Sequence, residues 1–532
     1  MCIRDSPKFT DEELDYIGGQ SPAIHGILSK ASKELRELLR VPFNLRLIAE
    51  LLGEGVGFED LTPIETQIEL LNRYWTYRII RSDGQGDARE TVLRRTCNEM
   101  VKARTLHIDR LSVADSAFSG PLNDLLSTQI LSEWQPSPGG TPDRYVLTFA
   151  HHMLFDYAVA RLLLRGTFQS LIDRLVLDPE LVLIIRPSLI LHFQHLWMDD
   201  ASRKGFWDLT IRIIREDKIP EVGKLIAPSV AAELANELSD LEPLCASLET
   251  CDTGVQSAAE QSLRHLIGAL LAADPSRLPL AGQNAGPWCS LLERISHNLR
   301  TPVAYTVRSL LSTLCEHTET FTHEQRASAG VSARRLLEFA WKHDPRDQWL
   351  VIHAIQAVCR TFESEPVAST TLLHRCLESN HLKEHGFEEM PWLARETKRL
   401  ISLDPAFVGD IYRAAFTHQE QSQDPTPMGQ SRILPLISNR RQDYQMALYE
   451  LAKVFPEFLA QDLKRGTIAL IAVMEAYVNQ RHPATSGEMI EESFDFNGIT
   501  ARIRIDYSVI SVSYTHLRAH ETSLHLVCRL LL

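Results

Sequence analysis

The sequence predicts a mostly α-helical chain: a helical domain and a winged helix, followed by an irregular, HEAT-like α-solenoid, with a truncated β hairpin near its C-terminal end. Apolar residues recur at spacings of three and four over most of the chain, in stretches such as SLRHLIGALLAA and LVIHAIQAV. Alternation of the kind that makes strands is confined to a few short places, chiefly 145–149 and 494–505. At 532 residues the chain is too long for one ordinary core, so domains are expected. Their boundaries read 9–88 for the helical domain, 89–165 for the winged helix, 166–482 for the helical array, and 483–511 for a linker and the β element.

The helical domain opens at Thr10, an N-cap with Glu13 three residues on, the spacing of a capping box. Ser21-Pro22 starts the next helix, and Ile24, Ile27, Leu28, Leu35, Leu38 and Leu39 lay an apolar stripe over 22–39. Pro42 suits the first turn of another helix, where its missing N–H costs nothing, and Leu45, Ile48, Leu51 and Leu52 give that helix a buried side. Gly53, Gly55 and Gly57 end it. Thr62-Pro63-Ile64-Glu65 reads as the start of a long helix through Ile79, closed by the SDGQGD loop.

The winged helix is read as a helix over 90–104, a strand over 106–108, a helix over 122–128, wing strands over 130–134 and 145–148, and a last helix from His151. The second helix, LNDLLSTQIL, carries no Lys or Arg, which favours an internal or switch role over reading a DNA groove. Beyond Thr167, Asp-Pro pairs at Asp178, Asp274, Asp344 and Asp404 punctuate a helical pattern at uneven intervals. They mark helix starts and turns, not a strict repeat. Residues 483–489 read as a linker, and Asn497-Gly498 as the turn of a hairpin.

Composition excludes several classes of function. Apolar residues make up 44% of the chain, and 69 Asp plus Glu against 55 Lys plus Arg leave a formal charge of -14, which argues against a general nucleic-acid binder. The nine cysteines include no CxxC pair, no apolar stretch is long enough to cross a membrane, and the first residues contain no long apolar run. A cytoplasmic protein with reduced thiols and no membrane partner is expected. The opening MCIRDS and residues 512–522, VSYTHLRAHET, resemble peptides translated from sequencing-adapter DNA. Residues 1–8 and 512–532 are therefore expected to lie outside the natural fold, and the chain to be a fragment of a longer protein.

Chemistry-bearing motifs are few. No GxxxxGK[ST], GxSxG or HExxH occurs. His374, Cys376, His381 and His385 cluster in sequence, but their order is no common zinc signature, and no metal site is assigned. The stretch FAHHMLFDYAVA, 149–160, stands out because an extended segment turns into a helix there with His151 and His152 on its first turn. A histidine so placed can present a ring N–H, beside free backbone N–H groups, to a phosphate; it can equally cap its own helix.

Arg40-Val41-Pro42-Phe43 and Phe149-Ala150-His151 together resemble the region that follows the ATPase core in STAND-class P-loop NTPases, of the NACHT or NB-ARC kind. The resemblance covers roughly residues 9–165. In that family a proline of the helical domain packs on adenine, and the histidine of a Phe-x-His motif ending the winged helix touches the β-phosphate of ADP. Carried over, Pro42 meets the base and His151 the phosphate. Leu154 stands at the family's aromatic position and Asp156-Tyr157 at its acid-aromatic pair, while Arg-Val stands where a glycine often precedes the proline. The resemblance implies ATP or ADP with magnesium in the full-length parent, little nucleotide affinity and no hydrolysis in this chain alone, and oligomerisation on activation. It also implies a protein trigger on the helical array, with a nucleic-acid trigger less favoured, in signalling or defence. The alternatives from other classes are a non-enzymatic α-solenoid scaffold and a winged-helix transcription regulator.

Overall fold

Side-chain caps fix the first helix boundaries. Thr10 and Glu13 close the expected capping box on Asp11–Gln20, and Ser21 caps Pro22–Leu28. The computed structural model describes residues 8–115, 118–135, 145–272, 280–426, 438–481, 489–496, 499–506 and 511–518. By its contacts the chain divides into two compact units, Met1–Leu234 with Glu242–Leu266, and Ala235–Leu241 with Ile267–Leu532.

In the first unit the stripe over 22–39 is split. Ser32 caps a separate helix, Lys33–Leu39, its hydroxyl accepting from the Leu35 N–H at 3.0 Å; a hydroxyl that competes for backbone N–H groups outweighs the continuous periodicity. Pro42–Gly53 starts at its proline as expected, and Gly55, at φ 84, ends the turn after it. The expected start at Thr62 is replaced. The helix Gln67–Trp75 begins after Thr66, whose hydroxyl and the Glu69 carboxylate make a reciprocal capping box, and a short helix, Phe58–Leu61, precedes it. The chain then widens into a π turn, Thr76–Ile80. It re-enters helix at Gly86, where an added Cβ would meet the Ile80 carbonyl oxygen at 2.8 Å, so only glycine fits.

The winged helix is present in the expected order. It consists of the helix Gly86–Ala103, β1 (His107–Asp109), the helix Ser119–Ser127, β2 (Leu131–Trp134), β3 (Val146–Phe149) and the helix His152–Leu162. The strands form an antiparallel sheet in the order β1-β3-β2, with Ile108 opposite Leu147 and Leu131 opposite Phe149. Alternation points Leu147 and Phe149 inward, and side chains of that size contribute roughly 2 kcal/mol each on burial. Arg89, 2% exposed, pins the module to the preceding turn by donating to Asp124 at 2.5 Å and to the Ile79 carbonyl at 2.6 Å. The helix Arg186–Asp199 then packs on both His152–Leu162 and Ile226–Leu234. Phe193, Trp197, Phe206 and Trp207 are buried edge to face, with centroids 4.9–5.6 Å apart.

The second unit is solenoid-like. Gly286–Ile295 packs on Thr301–Leu314 and His323–Lys342, and the last of these on Gln348–Arg360. Gln348–Arg360 packs on Ser379–Leu403, which meets Pro405–Thr417 and Arg440–Gln461; those two meet Leu463–Arg481. Several of these helices thus touch both the next and the next but one, the contact pattern of a stacked array. Asp404 caps Pro405–Thr417 as its Asp-Pro pair suggests, its carboxylate accepting from the Phe407 N–H at 3.0 Å. The Asp274-Pro275 pair lies outside the described residues. Two-residue strands, β4 (Pro425–Thr426) and β5 (Ser438–Asn439), form a small ladder. Near the end, β6 (Met489–Phe496) and β7 (Ile499–Asp506) pair antiparallel with Phe496 opposite Ile499, the expected hairpin, and β8 (Ser511–Arg518) adds a third strand on β7. The Asn497-Gly498 turn, most of the linker, residues 1–7 and residues 519–532 lie outside the described residues. Among the described residues no helix is long and apolar enough to cross a membrane.

Candidate functional site

Two helices of the first unit begin at one cleft. Pro42–Gly53 starts with a proline and no side-chain cap. The Phe43 and Asn44 N–H groups, in its first turn, fall among the donors an α-helix cannot satisfy internally. His152–Leu162 starts from β3, with His151 as its N-cap in extended backbone. Their starts, with Lys8, Arg46, Gln67, Leu106, Thr148 and Phe155, line a cleft of ≈ 850 Å³. The two residues singled out in sequence, Pro42 and His151, therefore share one site.

His151 is held from three sides. Its Nδ1 accepts from the Met153 N–H at 3.2 Å, so the capping role open to it is realised. The ring lies against Phe43, with centroids 3.8 Å apart and planes 13° from parallel, and against His152 at 4.3 Å. Burial, with His152 and Arg46 nearby, pushes its pKa down to about 4. The imidazole is then neutral near neutral pH, and because Nδ1 accepts, the ring proton sits on Nε2. Nε2 then carries the ring's only N–H.

The charge of the lining is one-sided. In a chain carrying a formal charge of -14, the lining contains Lys8, Arg46, His151 and His152 and, among the described residues, no Asp or Glu. Lys8 pairs with Glu37 at 2.9 Å and Arg46 with Glu50 at 2.7 Å. Exposed pairs of this kind are worth roughly 0–1 kcal/mol, so either head group is cheaply redirected. Val41, Pro42, Phe43, Leu106, Phe149 and Met153 supply apolar wall. Two helix N-termini, two cations and a neutral imidazole N–H suit a phosphate, and the apolar wall suits a flat ring. The lining residues thus have the donors that a nucleotide phosphate needs and an apolar wall on which a base could lie. They do not fit magnesium, which is held by carboxylates as well as phosphate.

The acid-aromatic pair faces the interior instead. Asp156, 5% exposed, accepts from the Ser188 hydroxyl at 3.0 Å, and burial raises its pKa to about 6. Tyr157 donates to the Asn72 side chain and packs at 5.3 Å on Trp75. Glu90 accepts from Trp75 Nε1 at 2.8 Å and from Arg161 Nε at 3.1 Å. These contacts join the last helix of the winged module to the helical domain before it and to the helix Arg186–Asp199 after it. His151 is the N-cap of the helix that carries these contacts.

No protein-family model, curated protein or solved structure matches this chain. The chemistry of the cleft rests on its own side chains. Sequence reading missed Phe43 and Arg46, and it set Lys8, which the structure places in the lining, outside the natural fold. Arg46 follows Pro42 by one helical turn, a spacing that could have flagged it, whereas the Phe43–His151 stack joins residues remote in sequence and left no local signal.

Proposed function

We propose that the chain is the nucleotide-sensing and helical sensor portion of a STAND-like signalling or defence NTPase, working in the cytoplasm. Pro42 and Phe43 meet the base, and the His151 Nε2–H donates to a phosphate of ADP. The phosphate-wrapping loop and the magnesium ligands come from a separate P-loop domain. What supports the reading is the convergence of Pro42 and His151, the two residues the family resemblance names, on one cleft that is rich in donors and free of carboxylates among its described lining. Loss of the phosphate contact releases the winged module, and the Tyr157–Asn72 and Asp156–Ser188 contacts pass the change to the helices on either side. The helical array offers an extended surface to a protein trigger, and the activated parent assembles as a homo-oligomer.

Winged-helix DNA reading is the weaker proposal: the helix Ser119–Ser127, SGPLNDLLS, has no basic residue, and its Asp124 is tied to Arg89. The test is thermal unfolding of this chain with millimolar ADP. Because the phosphate-wrapping loop lies elsewhere, ADP should raise the melting temperature only slightly, ligand at a concentration equal to Kd adding ~0.4 kcal/mol, and His151→Ala should abolish the rise. A rise of equal size in His151→Ala, or an equal rise with adenosine in place of ADP, contradicts the proposal.

A further inference from the structure

The array of the second unit contains a polar cluster that the cleft does not use. Cys376 lies on the turn His374–Leu377, and His381 and Glu389 lie on the helix Ser379–Leu403. Their sulfur, ring nitrogen and carboxylate oxygen lie within 4.8 Å of one another. Cys376 and Glu389 are each 1% exposed, and the His381 side chain is 9% exposed. His374, adjacent in sequence, turns away to Asp410 at 3.8 Å.

We infer that Cys376, His381 and Glu389 form a binding site for a divalent cation of the zinc class. The two oxygens of Glu389 have separate tasks. Oε1 accepts from Trp341 Nε1 at 3.0 Å and from Arg346. Oε2 faces His381 Nε2 at 2.8 Å. One oxygen is thus oriented by an outer layer of donors while the other is presented to the remaining ligands, the arrangement that fixes metal-binding carboxylates. Zinc bonds sulfur at ~2.3 Å and nitrogen or oxygen at ~2.0–2.2 Å, which sets tetrahedral donors ~3.3–3.6 Å apart. The cluster reaches this by opening the His381–Glu389 pair slightly and drawing in Cys376. A thiolate and an imidazole select zinc over magnesium or calcium. The fourth position falls to water or to His385, whose ring lies 5.1 Å from that of His381.

Charge balances on binding. The cation forms bonds to Sγ, Nε2 and Oε2, the thiol proton passes to solvent, and the ring proton moves from Nε2 to Nδ1, which keeps the imidazole neutral. Thiolate and Glu389 neutralise the metal, while Arg346 is matched by Glu388 at 3.5 Å. The bound ion would tie the turn 374–377 to the following helix and, through Trp341 and Arg346, to the helix and loop before it. Its role is to set the stacking of consecutive helices in the array.

The test is a titration of the full chain with cobalt(II) alone, which reports thiolate ligation by a near-ultraviolet charge-transfer band. One equivalent should produce the band, Cys376→Ser should remove it, and His381→Gln should weaken binding by more than about tenfold. No band in the folded, unaltered chain overturns the inference, and so does a band that persists in Cys376→Ser. Should Cys376→Ser fail to fold, zinc-dependent melting of the unaltered chain decides. A rise that Glu389→Gln removes supports the site, and no rise refutes it.

Discussion

The Phe43 ring lies flat against His151, 3.8 Å between centroids, and so joins the first turn of one helix to the cap of another. This stack both buries the imidazole and fixes the direction in which Nε2 points. Phe43 is itself 8% exposed, so truncating it removes packing as well as the stack. Phe43→Ala should lower stability by about 3 kcal/mol in denaturant unfolding, and NMR titration should find the His151 pKa moved up toward the usual imidazole range.

His151 in the unaltered chain should titrate near pH 4. Its folded pKa, about 4, lies below the unfolded value of 6.5, so the unfolded chain takes up the proton first as pH falls. The stability His151 provides is complete above about pH 6.5 and is lost as pH falls toward about 4. An NMR titration placing the His151 midpoint near 6.5 would show that the ring is not desolvated by the cleft.

Asp156 has the opposite sign. Its pKa is raised from 3.8 to about 6 by burial against a single hydroxyl donor, Ser188. Its contribution is complete below about pH 4 and is lost as pH rises through about 6. Asp156→Asn keeps an acceptor for Ser188 and removes the buried charge. It should stabilise the chain by on the order of 2 kcal/mol near pH 7 and by little near pH 4. Equal unfolding midpoints at the higher pH would refute the assignment of a costly buried carboxylate.

The chain alone should not turn over ATP. It has no GxxxxGK[ST] loop, and the cleft lining has no described carboxylate to hold magnesium or polarise water. Phosphate release should stay at the background rate with ATP and magnesium. Turnover that His151→Ala abolishes would place catalysis in the cleft and contradict this account.

Local patterns were legible where local interactions decide. The Thr10 capping box, Pro42 as a first helical residue, the order of the winged module and the 489–506 hairpin all follow from spacing over a few residues. Misreadings came where two local signals competed. Ser32 divided a stripe that apolar periodicity alone would continue, and Thr66 with Glu69 outcompeted Thr62 with Glu65 as a cap. Tertiary partners were not legible. Phe43 on His151, and Glu389 between Cys376 and His381, are contacts made by folding, and neither residue carries a signal of its partner. His151 stood out because it sits where a strand becomes a helix, a position defined by sequence pattern; Lys8 and Arg46 are ordinary surface cations until the cleft assembles.

The central claim is that the Nε2–H of His151 donates to a nucleotide phosphate. Nitrogen-resolved NMR of the histidine side chains during titration with ADP tests it most directly. The account predicts a saturable shift at His151 Nε2, larger with ADP than with AMP and lost in Phe43→Ala, which unfixes the ring. A His151 resonance unmoved while ADP shifts other histidines, or equal shifts with adenosine, would contradict it.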